Sequence, residues 1–117
     1  AVLGLAFKPG TDDLREAPAI DNVKLLLDHG AQVICYDPVA GENFKKKFPN
    51  VTLAASAEEA LQGAFCCFVF TEWEEIVRLS PETFRSRMHV PLVYDGRNIF
   101  DQDTMKRGGV EYYSIGR

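Results

Sequence analysis

The opening eighteen residues constrain the fold more than any other stretch. Ala1 to Ala6 is a continuous apolar run, Phe7 to Glu16 is a polar loop containing Pro9 and Gly10, and Ala17-Pro18 opens an amphipathic segment. An apolar run without alternation is the pattern of a parallel strand buried on both faces. Pro18 suits the first turn of a helix, where its missing N–H costs nothing. A strand that leads through a glycine-containing loop into a helix is the unit with which open α/β sheets build ligand sites. The strand begins at the first residue with no lead-in, which reads as a start inside a longer protein.

The remaining segments repeat the alternation. A first helix is expected from about Ala17 to His29, with Ile20, Val23 and Leu27 on one face and Gly30 as its stop. Gln32 to Tyr36 reads as a second strand, ended by Asp37-Pro38. A short helix near Gly41 to Phe48 and a short strand at Val51 to Ala54 follow. Ser56 with Glu59 forms a capping box that starts a helix at Ala57, and Thr71 with Glu74 has the same form, opening a helix that contains Trp73. Ala64 to Phe70 is a buried strand between them. Ser80-Pro81 starts a helix ending near Met88, Pro91 to Tyr94 is a strand, Asp101 caps a helix from about Gln102 to Lys106, and Glu111 to Ile115 is the last strand. Strands alternating with helices predict an α/β, Rossmann-like parallel sheet with helices on both faces and right-handed crossovers. No internal repeat or linker divides residues 1–117, so they read as one domain.

Composition narrows the function classes. At 117 residues the chain buries roughly two-thirds of its unfolded surface. A net charge of -4 argues against nucleic acid, whose backbone calls for a basic surface. No apolar run is long enough to span a bilayer, so no membrane role is expected. The cysteines are Cys35, Cys66 and Cys67. The count is odd, and adjacent strand residues point to opposite faces, so buried free thiols in a reducing, cytoplasmic setting are expected rather than a disulfide or a metal site.

The loop after the first strand carries Lys8, Arg15, Thr11, Asp12 and Asp13, and the loop after the fifth carries Arg97. Cations at strand ends suit an anion, and an arginine can hold two phosphate oxygens at once. The first loop is not a dinucleotide fingerprint: the place of the second glycine holds Ala6, followed by Phe7 and Lys8. The backbone cannot approach a pyrophosphate as closely there, so side-chain cations must do more. Asp12 and Asp13 suit capping or pairing with Arg15, since anions beside a phosphate would repel it. Asp37 occupies the place of a ribose-binding acid in dinucleotide domains, but before Pro38 it suits closing a turn. Lys45-Lys46-Lys47 reads as a solvated helix face, His29 and His89 as structural, and Trp73 as an anchor of its helix in the core, with lining the cleft as the alternative. A lone lysine after a strand is usually solvated surface, so composition alone leaves Lys8 open between surface and ligand.

Gly4-Leu5-Ala6-Phe7-Lys8-Pro9-Gly10-Thr11-Asp12-Asp13-Leu14-Arg15-Glu16-Ala17-Pro18 resembles the start of the C-terminal, UDP-binding domain of the UDP-glucose/GDP-mannose dehydrogenase family. Tyr94-Asp95-Gly96-Arg97-Asn98 and Tyr113-Ser114-Ile115-Gly116-Arg117 match later segments of the family in the same order. The Arg-Glu-Ala-Pro variant is more similar to bacterial UDP-glucose enzymes than to GDP-mannose ones. The resemblance implies that Phe7, Lys8 and Arg97 contact UDP-glucose, and that Arg15 reaches an NAD held by a separate N-terminal domain. It implies a parent enzyme, a homo-oligomer when full length, that oxidises the C6 alcohol of UDP-glucose to UDP-glucuronate with two NAD and a cysteine-bound intermediate. The family's nucleophilic cysteine precedes Pro-Lys-Asp in a glycine-rich segment that this sequence does not contain, so the chain by itself is expected to be inactive.

Two other readings stand beside this one. A free-standing nucleotide-binding or regulatory module would share the sheet and the cations. A phospho-receiver domain would share an acidic pair after the first strand, but it wants an acceptor aspartate and a lysine at later strand ends. Those ends hold Thr71-Glu72 and Asp95-Gly96-Arg97.

Overall fold

The structure, a computed structural model, describes residues 1–116; Arg117, the last residue of the terminal motif, lies outside the described residues. The elements in chain order are β1 (Val2–Leu3), α1 (Pro18–Asp28), β2 (Ile34–Tyr36), α2 (Gly41–Lys47), β3 (Thr52–Leu53), α3 (Ala57–Leu61), β4 (Cys67–Val69), α4 (Glu74–Val77), α5 (Pro81–Arg87), β5 (Leu92–Asp95), α6 (Gln102–Arg107) and β6 (Glu111–Ser114). All pairings are parallel, and the sheet order is β3-β2-β1-β4-β5-β6. This is the Rossmann-like α/β architecture that the alternation predicts.

Strand alternation sorts the core into two layers. Leu3, Cys67, Val69, Val93 and Tyr112 point to the face covered by α3, α4, α5 and α6, where Leu61, Ile76, Phe84 and Met105 are buried. Val2, Cys35 and Val51 pack on the other face against Ala19 and Val23 of α1 and Phe44 of α2. Burying one such phenylalanine contributes on the order of 2–3 kcal/mol. The second face is only half covered. Phe70, Phe68, Tyr94 and Tyr113 form an open ladder there, with ring centroids 6.1, 5.3 and 5.4 Å apart. Tyr94 is 40% exposed and Tyr113 50%, so β5 and β6 carry aromatic side chains to solvent on that side.

Most caps form where the sequence puts them. Ser56 accepts from the Glu59 N–H, Ser80 from Thr83 and Asp101 from Thr104. The second capping box does not form. The Thr71 hydroxyl donates to the Ala6 carbonyl at 2.6 Å, so the helix begins at Glu74, and Trp73 stands before it rather than inside it. The first helix is Pro18–Asp28, with Ala17 and His29 as flanking caps. Lys45 is not simply solvated; its ammonium donates to the carbonyls of Pro49 and Val51.

Gly4 joins β1 to its loop with φ at +87°, and a Cβ there would lie 2.5 Å from the Thr71 backbone nitrogen. Both the left-handed backbone and the close approach of the β4 loop require glycine. Gly4→Ala should therefore lower the unfolding free energy by about 2–4 kcal/mol, read as a lower urea midpoint at unchanged slope. A variant as stable as the parent would show that the β1 and β4 loops do not pack this closely.

Candidate functional site

Parallel strands bring all their carboxyl ends to one edge of the sheet. The loops after β1, β2, β4 and β5 gather there, and the strand order reverses between β1 and β4, where open sheets form their ligand crevice. Buried carboxylates fix these loops. Asp37, at the end of β2, accepts five hydrogen bonds: from the N–H groups of Leu5 and Ala6 at 2.8 and 3.1 Å, of Val39 and Ala40 at 2.9 and 2.8 Å, and from the Trp73 indole at 3.0 Å. One side chain thereby ties together the loops after β1, β2 and β4. Trp73 is half-buried and is held by this bond. Asp95, at the end of β5, accepts from the N–H groups of Arg97, Ile99 and Phe100 and from the Tyr112 hydroxyl at 2.6 Å. Each carboxylate satisfies backbone donors that would otherwise be left unpaired inside the fold.

The Asp37 bonds decide how the crevice can treat an anion. In a dinucleotide fold the loop amides after the first strand face the pyrophosphate. Here the Leu5 and Ala6 amides are already donated to a carboxylate. Ala6 in place of glycine and these occupied donors do not fit the pyrophosphate of an NAD at this loop. An anion at these strand ends would have to be met by side-chain cations instead.

Four side chains singled out in the sequence lie in this region. Phe7 is 43% exposed, and its N–H donates to the Asp13 carbonyl, which closes the loop on itself. Lys8 is exposed, and its ammonium has no hydrogen-bond or ion-pair partner among the described residues. Arg15 forks onto Asp13, with Nη2 donating at 2.8 Å, yet its side chain is 88% exposed. The Arg15 guanidinium draws the Asp13 carboxyl down to about 2, with Lys8 adding a smaller pull. Asp12 accepts from Asn43. Arg97 forks onto Glu72, with Nε donating at 2.8 Å and Nη2 at 3.1 Å. Arg15 and Arg97 are each followed by a residue in the left-handed region, Glu16 at φ 58° and Asn98 at φ 56°. Such conformations cost roughly 1–2 kcal/mol outside glycine and gather at functional loops.

Two of the three thiols are buried as expected and unsuited to chemistry, while Cys66 is only half-buried. Burial pushes Cys35 and Cys67 up to about 12, far from a reactive thiolate. No group of three or more metal-ligating side chains occurs among the described residues. His29 and His89 are exposed, the latter against the Phe65 ring. Among the described residues, no helix is long and apolar enough to cross a membrane.

Residues 1–102 match the UDP-binding domain of the UDP-glucose/GDP-mannose dehydrogenase family. The chain belongs to this family. It is 46% identical to a UDP-glucose 6-dehydrogenase of the archaeon Haloferax volcanii, over 98% of this chain and 25% of that protein. It is 40% identical to a UDP-glucose 6-dehydrogenase of Bacillus subtilis, over 100% of this chain and 27% of that protein. Among solved structures, an NDP-N-acetyl-D-galactosaminuronic acid dehydrogenase of Methanosarcina mazei aligns with a TM-score of 0.82 at 28% identity, over 100% of this chain and 24% of that one. A UDP-glucose dehydrogenase of Pyrobaculum islandicum aligns at 0.74 and 30% identity, over 97% of this chain and 23% of that one. The chain thus spans about a quarter of the length of these relatives. The relatives include archaeal as well as bacterial proteins. Family membership and the sheet order together displace the phospho-receiver reading, whose fold has the order 2-1-3-4-5.

Two parts of the site were not anticipated from sequence. Asp37 does far more than close a turn, and Glu72 joins the site as the partner of Arg97. A sequence signal exists for the first: Tyr36-Asp37 and Tyr94-Asp95 repeat the same pair at the ends of two strands. Asp37→Asn should lower the unfolding free energy by about 2–3 kcal/mol, because an amide turned towards backbone donors leaves at least one of them unpaired. Chemical denaturation checks this; an unchanged midpoint would mean the five bonds are dispensable.

Proposed function

We propose that this chain is the nucleotide-sugar-binding domain of an NAD-dependent UDP-glucose 6-dehydrogenase, oxidising UDP-glucose to UDP-glucuronate in the full-length, cytoplasmic enzyme. The observation that carries the reading is the pairing of family membership with a strand-end crevice whose loop amides are occupied and whose cations are side chains. Lys8 and Arg97 hold the diphosphate of UDP-glucose, and Phe7 packs beside it. The nucleotide does not react. Its binding holds the sugar in place for chemistry performed by residues outside this chain.

Arg15 has a different task. It stands just before α1 with its side chain exposed and paired with Asp13. It reaches an NAD held by the N-terminal domain of the parent enzyme, which fits the lack of a pyrophosphate cradle in this chain. NAD supplies the hydride acceptor when bound; the part played here is one cationic contact from Arg15. The parent enzyme is a homo-oligomer, and neither nucleic acid nor a membrane is among its partners.

Calorimetric titration of this chain should show binding of UDP in preference to NAD. Lys8→Ala and Arg97→Ala should each weaken UDP about ten- to hundredfold, as expected for loss of a charge-assisted phosphate contact. Arg15→Ala should leave UDP affinity unchanged. Tighter binding of NAD than of UDP, or wild-type UDP affinity in both cation variants, would overturn the assignment.

A further inference from the structure

We propose that Glu72 is a positioning residue for the phosphate-binding arginine: it holds Arg97 across the strand ends so that the free edge of the guanidinium faces the crevice. The inference rests on the UDP reading above and adds a residue to it.

Arg97 belongs to the loop after β5, one strand removed from the switch point between β1 and β4. Glu72 belongs to the loop after β4, beside that switch point, directly after Thr71, whose hydroxyl is bonded to the β1 loop. The Glu72 carboxylate therefore sits on a loop that is tied to the β1 loop next to it. By taking the Arg97 fork it brings the guanidinium to the β4 end of its own loop. The backbone of Arg97 is fixed as well, since its N–H donates to the buried Asp95 carboxylate at 3.0 Å. The arginine is thus restrained at backbone and head, while both side chains stay about one-third exposed and open to a ligand.

The geometry of the fork separates positioning from obstruction. A guanidinium carries five N–H donors on two bidentate edges. Glu72 occupies only the edge formed by Nε and one proton of Nη2. The terminal edge, formed by Nη1 and the second proton of Nη2, has no protein partner among the described residues. That edge can take two phosphate oxygens without breaking the Glu72 bonds. A long side chain fixed before binding loses less rotamer entropy when the ligand arrives. Glu72 also offsets the charge of Arg97, so Lys8 supplies the uncompensated attraction while Arg97 supplies a directed pair of donors.

The test is a double-mutant cycle on this chain, with UDP as the probe and two-dimensional NMR as the readout. Glu72→Ala should weaken UDP about three- to tenfold in the parent background. In the Arg97→Ala background the same change should have no effect or tighten binding, since an unpaired carboxylate then only repels phosphate. Glu72→Gln, which retains one acceptor, should fall between parent and Glu72→Ala and guards against a folding defect in the alanine variant. The Arg97 Nε–H resonance should persist in the UDP-saturated parent. Tighter UDP binding by Glu72→Ala, an equal loss in both backgrounds, or disappearance of the Nε–H signal on saturation would each overturn the proposal while leaving the UDP reading intact. Absence of UDP binding by the parent would overturn both.

Discussion

The carboxylate of Asp37 is the contact on which the carboxyl-terminal edge of the sheet depends. It gathers donors from three loops that are distant in sequence: Leu5 and Ala6 after β1, Val39 and Ala40 after β2, and the Trp73 indole after β4. Without it, four backbone amides and an indole lose an acceptor in a nearly buried environment, where each orphaned donor costs about 1–3 kcal/mol. Asp95 does the same on the other side of the switch point, holding the Arg97 loop and joining it to β6 through Tyr112. The crevice is therefore framed by two anions that belong to the protein.

That framing determines the chemistry available at the strand ends. An internal carboxylate occupies donors that a dinucleotide fold offers to phosphate, so the scaffold is retained while its backbone anion site is filled. On the function proposed above, recognition passes to side-chain cations, which must be restrained if they are to be selective. Asp13 holds Arg15, and Glu72 holds Arg97. Lys8 is exposed and has no such partner among the described residues. The contrast between a fixed fork and a free ammonium gives one side chain direction and the other long-range attraction.

Much of this was legible in the sequence because it is local. The buried opening strand, the amphipathic α1 with Pro18 at its start, and the caps at Ser56, Ser80 and Asp101 all depend on neighbours within four residues. The contacts that escaped are between segments far apart in the chain. Thr71 has the spacing of a cap, but its hydroxyl finds the Ala6 carbonyl, 65 residues away, and the helix starts later. Asp37 looked like a turn residue because Val39 and Ala40 are local; its bonds to Leu5, Ala6 and Trp73 exist only once β1, β2 and β4 lie side by side. The open aromatic ladder is of the same kind. Nothing in Tyr94 or Tyr113 reveals that α1 and α2 stop short of β5 and β6. The cations Lys8, Arg15 and Arg97 were visible through the family motif, whereas the counter-ion that holds Arg97 was not.

On the proposed function, phosphate meets side chains here because the loop amides are already taken. Amide NMR of this chain through a titration with UDP tests it directly. The Leu5 and Ala6 amides should keep their resonance positions and slow hydrogen exchange at saturation, with the largest changes at Lys8 and Arg97. Large shifts of the Leu5 and Ala6 amides, with release of their protection as phosphate replaces Asp37, would contradict it.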